Sequence, residues 1–240
     1  MSKNETYRHE WKYLIDTAQK ELICRRLSPF LQLDKHATNG GYMIRSLYFD
    51  DYFNSAYNEK DAGVLKRKKY RIRIYNCSDA SINLERKKKF GSYIYKESAP
   101  LTRDEVYQIL DGRYEFLLQS RYPLCREFYY ECVSNVMRPR TIVDYDREPW
   151  TLDRGTVRVT FDMDVRAAIG SYDIFDPTLP SLPVLQDGKC VMEVKYTEFL
   201  PRFVRDVLPD RASEFTAVSK YVLCYEKTAY MNGFQYWHEN

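Results

Sequence analysis

The chain has few residues of the types that hold zinc or build disulfide frameworks. It contains three histidines and six cysteines in 240 residues, and no two cysteines form a CxxC pair. A zinc site is therefore not expected. A chain of this size can build an adequate hydrophobic core without disulfides, so we expect the cysteines to be buried, reduced thiols.

Long apolar runs and glycine-rich nucleotide motifs are also missing. No apolar stretch approaches the roughly 18 residues needed to span a bilayer, so we expect no direct membrane insertion. No secretory apolar segment follows Met1, which together with reduced thiols predicts a cytoplasmic protein. GxGxxG and GxxxxGK[ST] are both absent. Side chains would therefore have to hold the phosphates of any bound nucleotide.

The composition is that of a globular protein with an uneven distribution of charge. Hydrophobic residues make up 44% of the chain, and 22 of its residues are tyrosines. At this length we expect a single domain spanning residues 1–240. The formal net charge is only +3, but eleven lysines and arginines stand against two acids between Lys66 and Lys96. That local excess predicts an anionic partner.

Six short segments carry charged residues at every second position, with apolar residues such as Tyr70 and Ile72 between them. They contain Arg8, Glu10 and Lys12; Lys69, Arg71 and Arg73; Glu85, Lys87 and Lys89; Arg158, Thr160 and Asp162; Glu193 and Lys195; and a looser alternation over residues 140–147. Because side chains alternate between the two faces of a strand, this pattern predicts strands with one apolar face and one ionic face.

Several of these strands are spaced as hairpins, with a few helices between them. Residues 64–76 and 82–90 predict a hairpin, and the capping-box spacing of Thr102 and Glu105 predicts a short helix that stops near Gly112. Residues 125–136 fit a helix as well as a strand, and residues 177–183 predict a loop. This order of elements favours an antiparallel α+β protein or closed barrel over a parallel βαβ array.

The ionic faces together carry more positive than negative charge. If all of them point inward, nine cations face five acids, which leaves about four positive charges without partners. The cations are Arg8, Lys12, Lys69, Arg71, Arg73, Lys87, Lys89, Arg158 and Lys195, and the acids are Glu10, Glu85, Asp162, Asp164 and Glu193. A dry interior could not hold that excess, whereas a wet tunnel that binds a chain of phosphates could.

The interleaved acids need a separate explanation, because carboxylates repel phosphate. We expect Glu193, with Glu10 and Glu85 as helpers, to bind Mg²⁺ or Mn²⁺ that bridges to phosphate oxygens. Phosphoryl transfer mainly requires positioning and charge neutralisation, which such a set could provide. Taken singly, each charged strand is more often a solvent-exposed sheet face with cross-strand ion pairs, and that alternative stays open at this point.

The order and spacing of these residues resemble a known family. The motifs are Arg8-x-Glu10-x-Lys12-Tyr13, Tyr48-Phe49-Asp50, Lys69-x-Arg71-x-Arg73-x-Tyr75, Glu85-x-Lys87, Arg140-Thr141-x-x-x-Tyr145-x-Arg147, and Glu193-Val194-Lys195-Tyr196. From about residue 7 to residue 225 the chain resembles the VTC domain. That domain is the polyphosphate polymerase module of the vacuolar transporter chaperone complex, within the triphosphate tunnel metalloenzyme (CYTH-like) superfamily.

The resemblance implies an antiparallel eight-stranded β-barrel tunnel with flanking helices, in which the γ-phosphate of ATP is transferred onto polyphosphate. It also implies a divalent metal, Mn²⁺ or Mg²⁺, on Glu193. The eukaryotic complexes of this family also carry an SPX domain and membrane helices; this chain departs from them, since we expect neither here, and a separately encoded membrane partner is compatible with the resemblance. The residues expected to act in catalysis are Lys12, Arg71, Arg73, Lys87 and Glu193. The residues expected to bind phosphate, which include most of the inward cations named above, are Arg8, Lys12, Lys69, Arg71, Arg73, Lys87, Arg140, Arg147, Arg158, Lys195 and Lys220.

The leading prediction is a metal-dependent polyphosphate polymerase that uses ATP. The wider superfamily often begins with ExExK, and the replacement of its first acid by Arg8 resembles the VTC branch. Two alternatives remain: a triphosphate hydrolase of the same fold, and a non-catalytic module that binds polyphosphate. Nucleic acid is the least expected partner, since its binders expose a basic patch with stacking aromatics rather than acid-interleaved faces.

Overall fold

One curled antiparallel sheet with helices packed against it makes up the structure, a computed structural model that describes residues 9–37, 40–91, 93–153, 156–209 and 218–232. The strands are β1 (His9–Asp16), β2 (Gln32–Leu33), β3 (Tyr42–Asp50), β4 (Lys66–Tyr75), β5 (Ser78–Phe90), β6 (Tyr93–Pro100), β7 (Arg138–Leu152), β8 (Val157–Ala168), β9 (Ser181–Pro183) and β10 (Lys189–Tyr196). The helices are α1 (Thr17–Leu27), α2 (Ser55–Asp61), α3 (Arg103–Leu110), α4 (Pro123–Ser134), α5 (Arg202–Arg205) and α6 (Lys220–Asn232), with a 3₁₀ turn at Glu115–Gln119.

Eight strands form one continuous antiparallel path in the order β1-β10-β8-β7-β3-β4-β5-β6. The two short strands lie off this path, β2 on β7 and β9 on β8. Within the described residues, β1 and β6 share no backbone ladder, although they approach each other. The path is curled, because Lys87 Nζ on β5 lies 2.6 Å from Glu10 Oε2 on β1, at the other end of the strand order. The predicted antiparallel α+β fold is confirmed, whereas the described residues show no backbone ladder that closes the predicted barrel.

The apolar faces of the strands pack outward against the helices. Tyr70 and Ile72 of β4 are fully buried in one core that includes Phe128 of α4 and Ile109 of α3. A second core joins β1, β8 and β10 to α1. Since the helices cover the apolar faces, the ionic faces are left to line the inside of the curled sheet. The predicted alternation of apolar and ionic faces is therefore confirmed.

Turns and caps explain where the predicted elements begin and end. Thr102 and Glu105 form the predicted capping box of α3, and Gly112 follows the helix with φ +76°. The β4–β5 turn is shorter than predicted: Asn76 and Cys77 alone make it, with φ +51° and +52°, as in a type I′ hairpin. Part of the predicted loop at residues 177–183 pairs with β8 as strand β9.

The ambiguous segment around residue 128 is helix α4. Pro123 stands at its first helical position, where a missing N–H costs nothing, and Cys125, Phe128 and Cys132 face the core. The spacing of these three residues is helical, which decides between the two sequence-based alternatives. Local propensity does not choose between helix and strand here, and the packing of Phe128 against Tyr70 of β4 stabilises the helix.

Two further features concern the cysteines and the lengths of the helices. The described ranges contain all six cysteines, and each is a free thiol; five are buried and Cys77 is half-buried. None of the helices in the described part of the chain is long and apolar enough to cross a membrane.

A buried ion pair joins β3 and β7 to the chain that follows β8. Arg45 is 2% exposed and binds both carboxylate oxygens of Asp144, at 2.9 and 2.8 Å, and it also donates to the carbonyls of Ile174 and Asp176. Removal of one partner leaves a buried charge uncompensated, which typically costs about 3 to 5 kcal/mol.

We therefore expect Arg45→Ala to lower the free energy of unfolding by about 3 kcal/mol or more, measured by urea denaturation. Arg202→Ala is the control, because Arg202 makes an exposed i,i+4 pair with Asp206 and should cost less than about 0.5 kcal/mol. Equal losses in the two variants would contradict the importance of the buried pair.

Candidate functional site

The inner face of the curled sheet is built from the alternating ionic residues. Strand register places opposite charges side by side: Lys12 on β1 faces Glu193 on β10, and Arg71 on β4 faces Glu85 on β5. Residues two positions apart share a face, so each strand contributes a short row of charged groups. Arg73 Nη2 on β4 reaches the Tyr145 hydroxyl on β7 at 3.2 Å, past the intervening β3.

Glu193 is the most heavily shared carboxylate of the site. Its oxygens lie 2.8 Å from Lys195 Nζ, 3.1 Å from Lys220 Nζ, 3.2 Å from Lys12 Nζ and 3.8 Å from an Arg147 nitrogen. Burial alone would raise the pKa of Glu193, but these four cations outweigh it and hold the pKa well below its ordinary value. Glu193 is therefore an ionised carboxylate at neutral pH.

Asp162 on β8 adds a second buried carboxylate beside Glu193. Arg147 donates hydrogen bonds to both carboxylate oxygens of Asp162, at 2.6 and 2.7 Å, and Lys220 Nζ lies 2.6 Å from Asp162 Oδ2. This fork geometry fixes the guanidinium plane of Arg147, because both of its hydrogen bonds to Asp162 run in parallel. Helix α6, from which Lys220 comes, thus completes a wall that the sheet alone does not supply.

Two further carboxylates lie on β5 and β1. Glu85 is 2.5 Å from Lys96 Nζ, 2.6 Å from Arg71 and 3.9 Å from Arg73. Burial alone would raise the pKa of Glu85, but these cations hold the pKa well below its usual range. Sequence reasoning missed Lys96. The strand register could have identified it. Lys96 stands directly opposite Lys87 in the β5–β6 pair, and residues opposite each other in a ladder lie on the same face of the sheet.

Cations outnumber carboxylates throughout this inner face. Glu10, the fourth acid, is bound by Lys87 at 2.6 Å and by Lys12 at 3.4 Å. Four carboxylates are thus shared by eight cations, namely Lys12, Arg71, Arg73, Lys87, Lys96, Arg147, Lys195 and Lys220. An excess of about four positive charges therefore faces the inside, as the sequence predicted, but its members differ. Five of the nine predicted cations share these carboxylates, Arg8, Lys69, Lys89 and Arg158 are not among the eight, and Lys96, Arg147 and Lys220 join the set.

Three lysines of this face have pKa values below that of an ordinary lysine. Burial lowers the pKa of Lys69 to about 7, and burial lowers that of Lys87 to about 8 against the opposing pull of Glu10. Burial also lowers the pKa of Lys96 to about 8, with Glu85 opposing the shift. These groups are poised to become fully charged when an anion arrives.

The remaining candidate residues lie elsewhere or differ from expectation. Arg158 binds Asp34 at 3.0 Å, away from the shared carboxylates, and Arg140 donates to the carbonyl of Asp51 at 2.8 Å. Arg8 lies outside the described residues. Asp164, expected to point inward, is exposed; that expectation was wrong, because φ is +47° there and the β7–β8 register shifts next to it.

The three carboxylates proposed as metal ligands are not brought together. Glu10 and Glu193 both contact Lys12, but Glu85 is held in a separate group by Arg71, Arg73 and Lys96. In the described ranges, no group of three or more histidines, cysteines, aspartates or glutamates could hold a metal ion. A metal here would depend on one or two carboxylates and on oxygens of its substrate, which is the usual arrangement for Mg²⁺.

Comparison with known families settles the relationship of the chain. The model of the VTC domain matches residues 7–229. The chain belongs to the VTC domain family. This confirms the resemblance seen in the sequence motifs. No curated protein matches the chain.

Solved structures share the fold of this VTC domain at low sequence identity. A Hippeastrum protein, described as an adenylyl cyclase candidate with a dominant triphosphatase activity, has a TM-score of 0.55 at 13% identity, with 92% of this chain and 96% of that chain covered. A Pyrococcus horikoshii OT3 protein scores 0.51 at 13% identity and covers 92% and 99%. An adenylate cyclase candidate from Vibrio parahaemolyticus scores 0.51 at 9% identity, also over 92% and 99%. At these identities the likeness shows the tunnel fold.

The depressed pKa of Glu85 predicts an acid-sensitive contribution to stability. Because the carboxyl takes up its proton more readily in the unfolded chain, its stabilising effect is present above the unfolded pKa and is lost as pH falls toward the folded one. We expect Glu85→Gln to be less stable than the parent at pH 7 and to lose less stability between pH 6 and pH 3, measured by urea denaturation.

The control is Asp111→Asn, which removes an exposed partner of Arg113 and should leave the parent pH profile unchanged. A Glu85→Gln profile parallel to that of the parent would show that the ion cluster around Glu85 contributes nothing to acid sensitivity.

Proposed function

We propose that this VTC domain is an ATP-dependent polyphosphate polymerase that transfers the γ-phosphate of ATP onto a growing polyphosphate chain inside the tunnel. The observation that carries the proposal is the sharing of four buried carboxylates by eight cations on one inner face. Such an excess is costly unless a polyanion or water compensates it. A chain of phosphates offers one negative charge after another along the same direction as the rows of cations.

The roles follow from the chemistry of each side chain. Arginine offers a planar fork that suits two phosphate oxygens, so Arg71 and Arg73 are assigned to orienting phosphates. Lys12 and Lys87 are assigned to neutralising the charge that develops as the γ-phosphate is transferred. Phosphoryl transfer needs little covalent help from the protein, and no nucleophilic side chain is required here.

The residues present fit a divalent metal only through Glu193, with Glu10 as its neighbour. Both are carboxylates of the hard-oxygen type that Mg²⁺ and Mn²⁺ prefer, and both reach the same lysine, Lys12. The metal, when bound, supplies positive charge to phosphate oxygens. The lysines that now contact Glu193 would then be available to bind phosphates directly.

Hydrolysis of triphosphate is the second candidate, because the same inner face would serve if water replaced the polyphosphate acceptor. A dominant triphosphatase activity is described for the Hippeastrum protein that shares the fold. A third candidate is a module that binds polyphosphate without turnover. The buried, ionised Glu193 favours catalysis over this module, since a carboxylate beside bound phosphates weakens binding unless a metal lies between them.

Analysis of the products separates these three candidates. The purified chain is incubated with ATP and Mn²⁺, and the phosphate products are resolved by length. We expect long polyphosphate and ADP from the parent and a loss of about 100-fold or more in rate for Glu193→Gln, since electrostatic groups at a reaction centre have effects of this size.

Glu148→Gln is the matched control, because Glu148 is a paired glutamate on β7 that binds Lys20 at 2.7 Å outside the tunnel. Its rate should equal that of the parent. Orthophosphate or pyrophosphate as the only product would replace the polymerase with the hydrolase, and tight binding without products would replace it with the binding module.

Salt gives an independent test of the tunnel. Binding of inorganic tripolyphosphate, measured by titration calorimetry, should weaken steeply between 0.1 M and 1 M salt, because the Debye length falls from about 10 Å to about 3 Å. Uncharged ligands show no such dependence. An affinity that stays flat across this range would rule out binding by the excess cations.

A further inference from the structure

Helix α6 reaches into the tunnel with a single charged side chain. Lys220, at the first position of the helix, is 8% exposed and places Nζ 2.6 Å from Asp162 and 3.1 Å from Glu193. Successive residues of a helix point about 100° apart around its axis. The direction of Lys220 therefore depends on the rotation of α6, and the contacts of the next residue, Tyr221, bear directly on that rotation.

Tyr221 connects α6 to the wall formed by β3 and β4. Its hydroxyl donates a 2.6 Å hydrogen bond to Asp50 Oδ2, and its ring packs on Tyr48 with centroids 5.1 Å apart. Lys69 Nζ lies 4.6 Å from the centroid of the same ring. Tyr48 in turn accepts a 2.7 Å hydrogen bond from Arg71. Tyr221 thus touches the parts of the wall that carry two candidate phosphate-binding residues.

The carboxylate of Asp50, which accepts the hydrogen bond from Tyr221, is itself held in place by backbone groups. The carboxylate is 1% exposed, and it accepts backbone N–H groups of Asp51, Ala56 and Tyr57 at 3.0, 2.8 and 3.0 Å. These three donors hold it at the turn between β3 and α2, and the Tyr221 hydroxyl is the contact that extends to α6. Burial and the adjacent carboxylate raise the pKa of Tyr221 well above its ordinary value, so the hydroxyl remains a donor.

Two further polar contacts at this end of α6 are made by lysines that phosphate would attract. Lys12 Nζ donates to the carbonyl of Val218 at 3.4 Å, and Lys69 Nζ donates to Ser219 Oγ at 3.3 Å. Both lysines are candidate phosphate ligands, so a bound polyanion competes for them. The hydrogen bond between Asp50 and Tyr221 uses no such cation and can persist when phosphate binds.

We propose that Asp50 and Tyr221 are positioning residues, whose hydrogen bond fixes the rotation of α6 on β3 and keeps Lys220 inside the tunnel between Asp162 and Glu193. The consequence for phosphate binding rests on the function proposed above. The placement of Lys220 does not, and it can be measured without any phosphate.

The first experiment measures the reactivity of Lys220 toward an amine-acylating reagent by mass spectrometry, in the parent chain and in Tyr221→Phe. Lys20 on α1 is the internal control, because it is also 8% exposed and ion-paired, at 2.7 Å from Glu148. We expect Lys220 to react about tenfold faster in Tyr221→Phe, the effect of losing one hydrogen bond to a carboxylate, while Lys20 is unchanged.

An unchanged rate at Lys220 would overturn the proposal. A parallel rise at Lys20 would also overturn it, because Tyr221 would then only stabilise the whole fold. Tyr225→Phe serves as the matched control on the same helix, since its ring packs against Tyr221 and Tyr57, and it should leave the reactivity of Lys220 as it is in the parent.

The second experiment is a double-mutant cycle on the binding of inorganic tripolyphosphate. Tyr221→Phe should weaken binding by about fivefold in the chain that has Lys220, and it should have no effect in a Lys220→Ala background. Additive losses would overturn the positioning role. Failure of the parent chain to bind tripolyphosphate would instead contradict the proposed function, and the acylation result would then decide the placement of Lys220 by itself.

Discussion

The sharing of a few buried carboxylates among many cations is the constraint on which this structure depends. Glu193 alone contacts Lys12, Lys195, Lys220 and Arg147, which come from β1, β10, α6 and β7. These elements come from separate parts of the sequence. The ion cluster joins them on the inner face of the curled sheet, beside a smaller apolar cluster that includes Ile44, Tyr145 and Cys224. Removing this acid would take away the carboxylate that Lys195 contacts and would leave Lys12, Lys220 and Arg147 dependent on Glu10 and Asp162, so the inner face depends on its acids as much as on its cations.

The sharing of buried carboxylates also explains why the two faces of the sheet contribute differently to stability. Helices α1, α3 and α4 cover the outer apolar face, where ordinary cores supply the stability. The inner face contributes little of that stability, because each buried charge must first be stripped of water. A fold organised in this way keeps its two larger cores on the outer face, while the inner face carries the ion cluster and a smaller apolar cluster packed against α6.

Local rules predicted most of the fold and about half of the site. A period of two is readable within one strand, so the inward row of Lys69, Arg71 and Arg73 could be predicted from the sequence. Lys96 required the register of β5 on β6, which depends on the length of a turn. Asp164 was misassigned because a register shift in β7–β8 reverses its direction.

Contacts between distant segments set the limit of such reasoning. The pairing of Asp50 with Tyr221 joins residues 171 positions apart, and no periodicity in either segment indicates the other. Lys220 entered the candidate site through family resemblance, since nothing in the sequence of its own helix predicts that it faces Asp162. The separation between Glu85 and the pair of Glu10 and Glu193 is likewise a property of the curled sheet, visible only once the strand order is known.

Arginine and lysine play different parts in tolerating the excess charge. An arginine cannot give up its proton in a protein, and each arginine of the cluster contacts a carboxylate: Arg71 and Arg73 contact Glu85, and Arg147 contacts Asp162. The cations of this face whose pKa values burial lowers are lysines: Lys69 to about 7, and Lys87 and Lys96 to about 8. The arginines therefore keep permanent charges beside carboxylates, while part of the positive surplus belongs to lysines that can lose a proton. Because an arriving polyanion favours the charged lysines, the tunnel gains its full positive charge when the guest is there to balance it.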